Sequence, residues 1–215
     1  MSYLLNISSV SKTFNRKKIL SDISFSLEYG SIIGLEGSNG VGKSTLFKII
    51  SGVMKPNSGE GYLINLPIFK SDYTYRKFLI YWSHDPQFYS SLTGYENLKL
   101  FLNLRSESSK IDLIYNYAKK YDLNSHLNQE LREYSFGQIQ KLKLIQLSIS
   151  DWDLALLDEP DSGMDKKGKI LLENLIQESK QKNKTIFVAS HNQKWLKKII
   201  DKKYCLKNTR LIKND

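Results

Sequence analysis

Nine residues, Gly37-Ser38-Asn39-Gly40-Val41-Gly42-Lys43-Ser44-Thr45, constrain this 215-residue chain more than any other feature. They fit G-x-x-x-x-G-K-[ST] and stand between an apolar run, Ser31–Glu36, and a run with helical spacing, Leu46–Ile50. A strand, a glycine-rich loop and a helix in that order make a phosphate-binding loop. Its glycines let backbone N–H groups turn inward and approach phosphate oxygens with no Cβ in the way. Lys43 supplies a point charge for β- and γ-phosphates, and the Ser44 hydroxyl can ligate Mg²⁺. The positive end of the helix opening near Lys43 adds to the attraction.

The rest of the chain alternates strand and helix patterns. Residues 3–10 and 23–27 alternate apolar and polar like half-buried strands. Residues 55–61, with Pro56, Gly59 and Gly61, read as a turn. From about 72 to 150 the pattern is helical: Leu98–Leu104, Ile111–Tyr117, and a helix opening at Ser135 with Ile139, Leu142, Ile145 and Ile149 at helical intervals. A buried strand (Leu154–Leu157), a helix (about 167–181), a second buried strand (Thr185–Ala189) and a helix (about 193–200) follow. Such alternation predicts an α/β fold with a largely parallel sheet.

Three further groups belong with the loop. Leu154–Leu157 ends in Asp158 and Glu159, and ligands of open parallel sheets bind beyond the carboxyl ends of the strands. There Asp158 would hold the Mg²⁺ shell and Glu159 would polarise a water in line with the γ-phosphate. Ser135 is a good N-cap whose helix start offers free N–H groups to an anion. His191 follows the Thr185–Ser190 strand directly, again at a strand's carboxyl end.

With these parts in this order, the chain resembles the ATP-binding subunit of an ABC transporter, nearly end to end. The resemblance implies that Gly37–Thr45 is the Walker A loop and that Phe14 stacks on adenine. It makes Leu156-Leu-Asp-Glu-Pro160 Walker B, Ser162-Gly-Met-Asp165 the D-loop and His191 the switch histidine. Tyr134-Ser-Phe-Gly-Gln138 stands where the family has its Leu-Ser-Gly-Gly-Gln signature, so Ser135, Gly137 and Gln138 would meet the nucleotide of a second subunit. It further implies one ATPase domain over 1–215: a P-loop NTPase core with an N-terminal antiparallel β-subdomain in 1–71 and 151–215, and a helical subdomain carrying the Q-loop and signature in 72–150.

The chain departs from the family pattern at two places. Phe136 replaces the first glycine of the signature. The position that the family gives to the Q-loop glutamine holds His84, a candidate metal ligand there, with Gln87 three residues later. Histidine at this place also gives a weaker likeness to the haem-exporter ATPases of cytochrome c maturation.

Composition narrows the partners. No apolar stretch approaches the roughly 18–20 residues of a membrane span, and no secretory leader is visible at Met1–Ile7. A single cysteine, Cys205, excludes an internal disulfide and a cysteine-based zinc site. The net charge of +10 falls wholly in residues 166–215, but only five of the 32 basic residues are arginine, so no nucleic acid is expected as a partner. The resemblance then implies ATP and Mg²⁺ as cofactors. It also implies closure of two ATPase subunits, identical or paralogous, head to tail around ATP, and separate transmembrane subunits as partners. The expected location is cytoplasmic, peripheral on the membrane face. The chain stops soon after the His191 helix, which favours an exporter. The alternative is a soluble, non-transport ATPase of the same type, acting on nucleic acid, ribosomes or cofactor assembly.

Overall fold

The computed structural model describes residues 3–214 apart from Asp72 and Pro86. Its contacts divide the chain into two units: Met1–Ser83, Trp152–Pro160 and Ile176–Asp215 in the first, His84–Asp151 and Asp161–Leu175 in the second. The division expected at 72 falls on Asp72, outside the described residues.

In the first unit β1 (Tyr3–Phe14) and β2 (Lys17–Glu28) form a hairpin. Its two turn residues, Asn15 and Arg16, have φ of 45° and 66°, the geometry whose twist matches paired strands. β3 (Ile32–Glu36) follows, then α1 (Lys43–Ile50), β4 (Ser58–Leu63) and β5 (Leu66–Pro67). Part of the 55–61 segment expected as a turn is therefore strand. A Cβ on Gly59 would lie 2.6 Å from the Ser9 carbonyl oxygen, and one on Gly61 would lie 2.7 Å from Ile68 Cδ1. Gly59 admits the β1 backbone and Gly61 admits the Ile68 side chain at close range, so neither marks a chain reversal. These strands make an antiparallel sheet in the order β2-β1-β4-β5.

The second sheet of this unit adds β6 (Leu79–Trp82), β7 (Leu154–Asp158), β8 (Thr185–Ala189), β9 (Lys202–Lys207) and β10 (Arg210–Asn214), in the order β10-β9-β3-β8-β7-β6. Every pairing is parallel except β9 with β10. All five residues of β7 and of β8 are buried, which is why Leu154–Leu157 and Ile186–Ala189 are unbroken apolar runs. Phe187 on β8 joins the sheets to α1: its ring centroid lies 5.6 Å from that of Phe25 and 5.1 Å from that of Phe47. Each such side chain taken fully from water contributes roughly 1.5–3 kcal/mol. The α/β class and mainly parallel sheet predicted from the sequence are present.

The second unit is helical, with α2 (Gly94–Leu104), α3 (Ile114–Lys120), α4 (Phe136–Ile149) and the opening turns of α5 (Lys166–Gln181). α2 begins in a reciprocal cap: Glu96 N–H donates to Thr93 Oγ1 at 3.1 Å while Thr93 N–H donates to the Glu96 carboxylate at 2.8 Å. The Ile111–Tyr117 stretch expected as helical is divided: Ile111–Leu113 closes a separate 3₁₀ turn, Ser108–Leu113, and Ile114–Tyr117 opens α3. The last helix, α6 (Gln193–Ile199), belongs to the first unit and is capped by Asn192, whose Oδ1 accepts from Trp195 N–H at 3.1 Å. Among the described residues no helix is long and apolar enough to cross a membrane.

Candidate functional site

Strand register gathers the candidate residues of the first unit. Leu35 on β3 and Asp158 on β7 both pair with Ala189 on β8, so three adjacent strands end in one row. Just beyond that row lie Gly37, Glu159 and His191. This is the carboxyl edge of a parallel sheet, where such folds place ligands.

The loop after β3 is built around glycine backbone. Gly37 has φ of 155°, and a Cβ there would lie 2.7 Å from the Leu206 carbonyl oxygen on β9. Gly42, the residue before α1, has φ of 116°. Gly40 has φ of 71° and nothing within 4 Å of a would-be Cβ, so its freedom serves loop shape alone. Lys43 is 6% exposed, and its ammonium donates to the carbonyls of Gly37 (2.7 Å) and Ser38 (3.1 Å). Burial lowers its pKa from the ordinary 10.5, against the opposing pull of Glu159 and Asp158. Both strand-end carboxylates therefore act on this lysine. Ser44 is exposed at the loop's rim.

Asp158 is 2% exposed at the end of β7. Glu159 then takes φ of 53°, a left-handed conformation that costs a non-glycine residue about 1–3 kcal/mol. Its N–H donates to the Ala189 carbonyl at 2.8 Å, which ties the turn to β8. The turn aims the carboxylate at His191: Oε2 accepts the His191 N–H at 3.0 Å, and Oε1 lies 3.0 Å from Nε2. Phe14 stands at the hairpin end of β1, 40% exposed, with the Lys12 ammonium 5.1 Å from its ring centre.

The second unit carries its own candidate residues. Ser135 caps α4: its Oγ accepts from Gln138 N–H (3.3 Å) while its N–H donates to Gln138 Oε1 (2.7 Å). Nothing lies within 4 Å of a Cβ built on Gly137, so the isolated chain has no steric need of glycine there. Phe136 packs on Gly163, in the turn before α5. Gln140, which the sequence reading passed over, is 3% exposed and donates from Nε2 to the Ser162 carbonyl at 3.3 Å. The signal for it was its spacing, four residues after Phe136 on one helix face. His84 and Gln87 are both exposed in the second unit, and among the described residues no three His, Cys, Asp or Glu side chains gather as a metal site.

A glycine-built loop at the end of one strand and a buried carboxylate at the end of a neighbouring one suit a nucleotide-binding cassette. Residues 20–162 match the family described as ABC transporter, and the chain belongs to that family as an ATP-binding domain. It is 32% identical to the ABC transporter ATP-binding protein YdbJ of Bacillus subtilis, over 87% of this chain and 61% of that protein. It is 30% identical to the cytochrome c biogenesis ATP-binding export protein CcmA of Mannheimia succiniciproducens, over 82% of each. A solved ATP-binding subunit of an ABC transporter superposes with a TM-score of 0.90 at 26% identity, covering 99% of this chain and 90% of that one. The chain spans only 61% of YdbJ and 57% of a Nostoc relative that is likewise 32% identical.

Proposed function

We propose that the chain binds and hydrolyses ATP and, paired head to tail with a second ATPase subunit, powers a membrane transporter of the export type. The observation that carries this reading is the Glu159–His191 pair, 3.0 Å apart at a strand end beside Lys43. Support for the export type comes from CcmA, an export protein by name. Support for pairing comes from an ATP-binding cassette of the same fold (TM-score 0.86, 20% identity) solved as a dimer in a post-hydrolysis state with ADP and Pi.

In this reading Phe14 stacks on the adenine and the loop's N–H groups take the phosphates. Lys43 shifts from the Gly37 and Ser38 carbonyls to the β- and γ-phosphates. Asp158 and Ser44 suit Mg²⁺, since a buried carboxylate and an exposed hydroxyl are hard oxygen donors. The Q-loop role falls to His84 or Gln87. When bound, the ion would offset phosphate charge. The oxygen of a water bonds to the γ-phosphorus as the bond to the bridging oxygen breaks, and that oxygen leaves with its electron pair on ADP. Glu159 accepts the water's proton, and His191 holds Glu159 in line and faces the γ-phosphate. Ser135 and Gly137 of the second subunit close on the same phosphate, so ATP joins the subunits until hydrolysis removes the contact. The membrane subunits are separate chains, and the location is the cytoplasmic face of the membrane.

The test is a tagged Glu159→Gln pull-down from detergent-solubilised source membranes with Mg-ATP. Recovery of a multi-spanning protein supports transport. Recovery of nucleic acid, ribosomes or only other proteins would overturn it in favour of a non-transport ATPase using the lysine-rich residues 166–215.

A further inference from the structure

Phe136 stands where the family signature has glycine, and its ring is turned back on its own subunit. A Cβ built on Gly163 would lie 2.2 Å from Phe136 Cε1 and 2.3 Å from Cδ1, so the ring edge rests directly on the Gly163 backbone. Gly163 itself has φ of 67°. One turn further along α4, the Gln140 amide donates to the Ser162 carbonyl at 3.3 Å. Residues four apart share a helix face, so one face of α4 grips two consecutive residues of the 162–165 turn, by a ring at 163 and a hydrogen bond at 162. The ring stays 47% exposed, which sets its value in the contact rather than in burial.

We propose that Phe136 and Gln140 are positioning residues that lock the signature start, Ser135–Gln138, and the Ser162–Asp165 turn into one rigid element. The two segments then meet a closing second subunit together. A signature with glycine in place of Phe136 has no side chain to reach the turn, so here a side-chain contact does what the backbone alone cannot. This inference rests on the ATPase reading for its consequence but not for its geometry. Removing the ring should leave ATP binding at the Walker A loop intact and slow the step that needs the second subunit's contacts.

The experiment has two arms on the full chain. In the first, unfolding midpoints are measured for Phe136→Ala, Gly163→Ala and the double variant. The penalty of Gly163→Ala is expected to be at least halved when the ring is absent, and additive penalties would overturn the contact. In the second arm, ATP hydrolysis by Phe136→Ala is expected to fall about tenfold in kcat with KM unchanged. Phe136→Leu, which can still reach Gly163, restores most of the rate, and Gln140→Leu shows a smaller kcat loss of the same kind. Unchanged kcat beside a coupled unfolding cycle would overturn the positioning role. A parent chain that hydrolyses no ATP would sink the ATPase reading while the unfolding arm still decides the clamp.

Discussion

Glu159 holds His191 through the histidine's backbone N–H, which donates to one carboxylate oxygen at 3.0 Å, while the other oxygen lies 3.0 Å from Nε2. The first contact survives replacement by glutamine, whose amide oxygen still accepts an N–H, whereas proton acceptance from water does not. Glu159→Gln is therefore expected to keep ATP affinity within about twofold and to lose hydrolysis by at least about a hundredfold. It should also accumulate an ATP-dependent dimer. Light scattering after size exclusion, with and without Mg-ATP, measures this, and a monomer under every condition contradicts it.

Lys43 gives a pH signature. Its folded pKa lies below 10.5 because burial disfavours the charge. With the folded value below the unfolded one, the unfolded chain binds more protons between the two, so this group's contribution to stability rises with pH across that window. Phosphates in the loop would raise the pKa again, so binding takes up a proton and ATP affinity falls as pH rises through the free protein's value. Titration calorimetry in alkaline buffers of different ionisation enthalpy should show that uptake. Lys43→Arg, which stays charged, should lose the dependence.

Gly137→Ala separates fold from function. The Cβ enters open space on α4 and alanine is the better helix former, so the free chain should gain about 0.5–1 kcal/mol in denaturant unfolding. If a second subunit's phosphate must approach this backbone closely, the same variant should lose turnover. Unchanged turnover would remove Gly137 from the site.

Phe14→Ala should raise KM for ATP several-fold, with kcat and the unfolding midpoint nearly unchanged, because the ring is 40% exposed and carries little of the core. Phe14→Trp keeps a stacking face and should keep KM. An unchanged KM for ATP in Phe14→Ala would show that no base stacks there.

Much of this was legible because the residues concerned act locally or in runs. Leu154–Leu157 on β7 and Ile186–Ala189 on β8 are buried on both faces and so read as unbroken apolar runs, and Ser135 with Gln138 three residues on is a capping box that fixes the start of α4. β4 was misread because Gly59 and Gly61 look like turn residues, while their role is to admit Ser9 and Ile68 at close range. β6 hid in a stretch of helical texture, and β9 hid among lysines because only Leu206 on it is fully buried. The Phe136–Gly163 contact joins residues 27 apart in sequence, and no local pattern records a packing partner at that distance.

The left-handed backbone at Glu159 has an evolutionary consequence. Glycine or asparagine would sit at that φ more comfortably, and either would abolish the carboxylate that faces His191. A chain selected in the laboratory only for heat resistance should therefore drift at position 159, early and repeatedly, toward those two residues. In the ATPase reading, the need for that carboxylate in catalysis is what opposes the drift.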